Sequence, residues 1–82
     1  MGEVATTFKI MPDSPERDVH KIKDAISEKM KVQDYHVEDI AFGLKVLRVL
    51  IVSEDGATDK IEKEIRGIEG VSEVEVESST LI

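Results

Sequence analysis

The spacing of the apolar residues switches between two and about 3.6 in a fixed order along this chain, and that order restricts the fold more than anything else in the sequence. From Glu3 to Met11 the residues alternate. Val4, Thr6, Phe8 and Ile10 share one face, and Ala5, Thr7, Lys9 and Met11 share the other, which predicts a strand. Pro12-Asp13-Ser14-Pro15 breaks it, with Ser14 as N-cap, Pro15 in the first helical turn, and Glu16 and Asp18 complementing the helix dipole. Val19, Ile22, Ile26 and Met30 then recur at helical spacing, so an amphipathic helix of about four turns is expected, ending near Met30 to Gln33.

Tyr35 to Gly43 reads as a weaker strand with Val37, Ile40 and Phe42 as its apolar members and Gly43 as a bulge or turn. Leu44 to Ser53 is the most apolar stretch and is rich in β-formers. Glu54-Asp55-Gly56 turns the chain, and Thr58 or Asp59 caps a second helix whose stripe is Ile61, Ile65 and Ile68. Gly67 and Gly70 end it. The last strand runs from Val71 to Ser78, with Val74 and Val76 inward and Glu73, Glu75 and Glu77 outward. Ser79 to Ile82 either finish that strand or project as a tail.

The order β-α-β-β-α-β places the chain in the α+β class. Its simplest solution is a ferredoxin-like sandwich, a four-stranded antiparallel sheet with both helices on one face. Right-handed crossovers put the first and third strands in the centre. The length of 82 residues allows a single domain, 1–82. Such a domain buries about 60–65% of the surface exposed on unfolding, so one modest core and no deep enclosed site are expected.

Composition narrows the function. With no cysteine, the chain can form neither disulfides nor thiolate metal sites. No apolar run approaches the roughly 20 residues of a membrane span, and no signal peptide is visible, so a cytoplasmic protein is expected. Eleven basic and 18 acidic side chains give a net charge of −7. Nucleic-acid phosphates need a basic stripe, so direct nucleic-acid binding is not expected. Aromatic content of 4% leaves few stacking platforms, which also argues against an RNA-recognition module. An acidic domain suits a basic protein partner, although the charge also serves solubility.

No catalytic constellation stands out. His20 lies in a polar helical run and His36 on an expected edge strand, and both read as surface residues. Two distant histidines do not make a zinc site, so neither metal nor cofactor is expected. Glu73, Glu75 and Glu77 on one strand face do not converge on an ion, and they read as charge guarding an edge. Pro12-Asp13-Ser14-Pro15 lacks the arginine an acylphosphatase-like anion loop would need. The third strand is more telling, because it is largely apolar on both sides. Lys45, Leu47, Val49 and Ile51 oppose Leu44, Val46, Arg48, Leu50 and Val52. Either way round, aliphatic side chains reach the open sheet face, where an exposed apolar band marks a protein interface. Arg48 on that face is a candidate partner-binding residue.

Ile40-Ala41-Phe42-Gly43-Leu44-Lys45 is similar to the aromatic-Gly-aliphatic-Lys segment of the exchange domain of the elongation factor 1-beta family. The likeness continues through Val46 to Val52, Ser53-Glu54-Asp55, Thr58-Asp59 and Ile68-Glu69-Gly70-Val71-Ser72-Glu73-Val74. The opening Lys9-Ile10-Met11-Pro12 and Ser14-Pro15 resembles the short archaeal form. The resemblance implies the same ferredoxin-like fold and a non-covalent role, promotion of GDP release from the GTPase elongation factor 1-alpha. It assigns partner contact to Phe42, with Gly43 and Lys45 in the same motif. Longer eukaryotic relatives carry a basic residue second from the C-terminus that reaches the magnesium site, and here that place is Leu81. Leu81 and Ile82 are therefore expected to act sterically, if the tail acts at all. The assembly region of the longer forms is not seen, so a monomer when free, outside any multi-subunit exchange complex, is expected. The alternative is a small-molecule-sensing or protein-interaction domain of the same architecture.

Overall fold

The computed structural model describes residues 2–82 apart from Pro15, Ala41 and Phe42. Its elements are β1 (Glu3–Pro12), α1 (Val19–Lys29), β2 (Val32–Asp39), β3 (Lys45–Glu54), α2 (Thr58–Arg66) and β4 (Val71–Leu81). In β1, Val4, Thr6, Phe8 and Ile10 are buried while the intervening Ala5, Thr7, Lys9 and Met11 stay half-buried, the period of two expected from the sequence. β3 pairs antiparallel with β1, so Leu47, Val49 and Ile51 stand beside Ile10, Phe8 and Thr6 on one face. The sheet order is β2-β3-β1-β4, and every pairing is antiparallel. The first and third strands are thus central, as the β-α-β-β-α-β order requires.

Both helices pack on the face that carries Phe8, Ile10, Leu47, Val49 and Ile51. Val19, Ile22 and Ile26 of α1 and Ile61 and Ile65 of α2 join these residues in one cluster with Ile68 and Val74. Thr6 is the polar residue among the buried ones, and its hydroxyl lies 3.4 Å from that of Ser79. The sandwich is elongated, with a long axis of 42 Å. At about 1.5 Å per residue, α1 and α2 span roughly 16 and 14 Å. Strands of ten or eleven residues extend roughly 35 Å, so the sheet overhangs its helices. Val76 and Leu81 fall on the helix-facing side of β4, opposite Phe8 and Val4, yet remain exposed.

Three boundaries differ from the sequence expectation. α1 is capped by Asp18, not Ser14, and it is one turn shorter than expected. The Asp18 carboxylate accepts from the His20 amide at 2.9 Å. Ser14 is instead committed to a tight turn. Its carbonyl accepts from the Arg17 amide, and its hydroxyl accepts from the Glu16 amide at 3.1 Å. α2 starts after Ala57, which supplies no side-chain cap, so Thr58 and Asp59 lie inside the first turn. β2 covers Val32–Asp39 rather than residues 35–43, because the chain leaves the sheet at Ile40.

The last strand holds a fourth difference. Thr7 pairs with Ser78 and Phe8 with Val76, which leaves Glu77 as an extra, bulged residue. Below the bulge Glu73 and Glu75 face outward and Val74 inward, as expected. Beyond it the parity reverses, so Thr80 shares the open face with Ala5 and Leu81 shares the helix side with Val4. Ser79 and Thr80 belong to the strand and are not a loose tail.

Candidate partner-binding site

The residues expected to meet a partner lie at two ends and the middle of the sheet. The first group follows β2. The chain closes a tight loop by a hydrogen bond from the Ile40 amide to the Leu44 carbonyl, 2.8 Å. Gly43 has φ +74 within it, a conformation in which side chains other than glycine's are strained. A Cβ built there would meet nothing within 4 Å, so the backbone and not space demands glycine. Lys45 opens β3, is exposed, and pairs in register with Asp39. Phe42 lies outside the described residues.

The second group is the C-terminal end. Leu81 and Ile82 are 67% and 73% exposed, the highest values among the large apolar side chains of the described residues. The Ile82 amide donates to the Glu3 carbonyl at 2.9 Å, so the last residue is still tied to the sheet. Ile82 also borders an open depression with Gly2, Glu3, Val52, Ser53, Glu54 and Asp55. Nothing in the periodicity pointed to it, because it forms where the ends of β1, β3 and β4 come together. By register, the level of Leu81 on β3 is Ser53, while Lys45 is the first residue at the other end of that strand and Gly43 lies just before it. About 27 Å of strand separates the two groups.

Arg48 stands between them on the open face, opposite Lys9 of β1 and His36 of β2. Its Nε donates to Glu77 Oε1 at 2.6 Å, and its NH1 donates to Glu38 Oε2. The hydrogen bonds to Glu77 and then to Glu38 raise its pKa above the usual guanidinium value, so it is permanently charged. The aliphatic band expected on this face is only half open. Leu50 and Val52 are half-buried and Val46 is 1% exposed, because a central strand is flanked on both sides. Glu38 and Glu77 were not expected to hold Arg48. The alternation of Glu73, Glu75 and Glu77 shows an outward face but not the bulge that sets Glu77 against a residue two strands away.

Elsewhere the titratable groups look structural. His20 and His36 are exposed, with Asp18 and Asp34 at 3.5 and 3.7 Å. Among the described residues no cluster of three or more His, Asp or Glu side chains is arranged to hold a metal ion, and no helix is long and apolar enough to cross a membrane.

Residues 5–82 match the family described as the EF-1 guanine nucleotide exchange domain. The chain belongs to that family. As an exchange domain it is similar over its full length to "Elongation factor 1-beta" of Methanoculleus marisnigri, 43% identical over 84 residues with both chains covered completely. The protein of the same name from Methanothermobacter thermautotrophicus is 42% identical, with 93% of this chain and 92% of that protein aligned. The one from Pyrobaculum calidifontis is 40% identical, with 93% and 90% aligned. These relatives bear out the archaeal resemblance seen in the sequence. Among solved structures, the exchange domain is similar to the ACT domain from GTP pyrophosphokinase of Chlorobium tepidum. The TM-score is 0.71 at 15% identity, covering 95% of this chain and 90% of that one, which shows the shared ferredoxin-like fold and nothing of its ligands.

Proposed function

We propose that this exchange domain acts on the GTPase elongation factor 1-alpha, binding it and speeding release of its GDP so that GTP can rebind. The observation that carries the reading is the match to the exchange-domain family over residues 5–82, which includes the aromatic-Gly-aliphatic-Lys segment, whose Gly43 and Lys45 are exposed. The work is thermodynamic coupling, with no bond made or broken. GDP and magnesium are held on such GTPases by a phosphate loop and switch segments. A protein that binds the nucleotide-free GTPase more tightly than the GDP form must weaken GDP by the same factor. A hundredfold loosening needs about 2.7 kcal/mol of differential binding.

Phe42, Gly43 and Lys45 form one contact in this reading, and Leu81 and Ile82 form the other. Arg48 lies between them. Leu81 is apolar, so in this reading the effect on magnesium falls to the bulk of Leu81 and Ile82 or to the loop that carries Phe42. The domain uses no cofactor, acts in the cytoplasm and is a monomer when free. Calorimetric titration against nucleotide-free and GDP-loaded elongation factor 1-alpha tests the coupling. The expected result is affinity at least about a hundredfold higher for the nucleotide-free form, a difference that Phe42→Ala reduces. Equal affinity for the two forms would rule the mechanism out, because a ligand with no preference shifts nothing.

A further inference from the structure

Each of the two edge strands leads into one of the two end groups. β2 runs through Glu38 and Asp39 into the Ile40–Leu44 loop. β4 runs through the bulged Glu77 to Leu81 and Ile82. An edge strand is held by hydrogen bonds on one side only, and β2 and β4 are separated by both central strands, so no ladder joins them. Arg48 reaches both. Its guanidinium takes Glu38 with one nitrogen and Glu77 with another, the second across the top of β1. Among the described residues, the ion pairs that join different strands are these two. A planar, permanently charged fork can hold two carboxylates at a fixed angle, which a lysine's point charge cannot do.

We propose that Arg48 is a positioning residue for exchange, a clamp that ties β2 to β4 over the open face and keeps the two partner-contacting ends ordered. This rests on the reading that both ends touch the GTPase. A contact made at two points about 27 Å apart needs the ends in one relation before the partner arrives, since ordering them on binding costs affinity for the complex. The clamp contributes little to folding, because exposed ion pairs have small net effects. Its loss is therefore read in function more than in stability. Arg48 then acts through Glu38 and Glu77, with its guanidinium already occupied and not offered to the partner.

The two roles for Arg48 differ in what its carboxylates do. If Arg48 met the GTPase directly, Glu77→Gln or Glu38→Gln would free the guanidinium, and exchange would be unchanged or faster. As a clamp, either change disables it. The experiment measures labelled-GDP release from elongation factor 1-alpha across exchange-domain concentrations, for wild type, Arg48→Met, Glu77→Gln, Glu38→Gln and the permuted pair Arg48→Glu with Glu77→Arg. Arg48→Met and Glu77→Gln are expected to raise the half-saturating concentration about tenfold, with Glu38→Gln weaker, and the maximal rate moving less than about threefold. The permuted pair recovers part of the loss. Hydrogen exchange reads the clamp without the GTPase. The Ile40 and Ile82 amides lose protection in Arg48→Met, while core amides keep theirs. Full activity in Glu77→Gln and Glu38→Gln would overturn the proposal, as would Arg48→Met with unchanged protection at Ile40 and Ile82. Inactive wild type would overturn the exchange reading itself, a separate outcome.

Discussion

Gly70 and Gly43 both hold positive φ, at +96 and +74, but for different reasons at the level of single atoms. A Cβ on Gly70 would lie 2.7 Å from Arg17 Cδ, whereas one on Gly43 meets nothing. Arg17 is held there by Asp13 at 3.1 Å, and the Asp13 amide donates to the Gly70 carbonyl at 2.9 Å. Gly70→Ala therefore meets strain and also pushes the Arg17 side chain off Asp13, so it is expected to cost somewhat more than Gly43→Ala, for which backbone strain alone is about 1–2 kcal/mol. Thermal unfolding of the two variants checks the order, and equal melting shifts would refute it. The same latch sets a pH dependence. The Arg17 hydrogen bond lowers the Asp13 pKa below the usual carboxylate value. A depressed carboxylate pKa stabilises the fold above the unfolded value, and that contribution is lost as pH falls through the folded one. Asp13→Asn should lower the melting temperature at about pH 7, and the gap to wild type should narrow as the pH falls through the acid range. A constant offset across that range would show that the ion pair contributes nothing.

At the scale of elements, α1 depends on Asp18 as its cap and both helices depend on the cluster beneath them. Asp18→Ala removes an acceptor from the first turn and should cost about 1 kcal/mol. Ile65→Ala leaves a cavity at a residue with no exposed surface, and 2–5 kcal/mol is the expected range. In a domain of this size each 1 kcal/mol moves the melting point by about 4–8 °C, so scanning calorimetry separates the two variants. Each element's existence was legible because apolar spacing survives the choice of partners. Val4, Phe8 and Ile10, then Val19, Ile22 and Ile26, announce their buried faces without the fold. Boundaries were less legible. Ser14-Pro15 carries a helix-start signal as strong as Asp18's, and only the turn that consumes Ser14's oxygens decides between them. The Glu77 bulge was invisible, since a strict Val/Glu alternation runs right up to it and only Ser78-Ser79-Thr80 follow. That one unpaired residue decides which face the C-terminal residues take.

For the whole molecule, the candidate contacts were legible as residues but not as an arrangement. Gly43 and Lys45 stood out in an aromatic-Gly-aliphatic-Lys segment, and the apolar tail stood out by its position. Their separation depends on antiparallel register that no local pattern contains, and so does the clamping of Arg48 by carboxylates from both edge strands. Overhang of the sheet beyond short helices then leaves both ends uncovered. Removing Leu81 and Ile82 takes away exposed groups, the Ile82–Glu3 backbone hydrogen bond and the last pair of β4, so it should slow exchange with little effect on melting. Unchanged exchange after that truncation would leave the Phe42 end as the sole contact. Exchange is read most directly from release of a fluorescent GDP analogue from elongation factor 1-alpha of the same source, followed after mixing with substoichiometric exchange domain. Acceleration of about a hundredfold or more is expected, with each domain turning over many GTPase molecules. Release at the intrinsic rate, with both proteins folded, would contradict it.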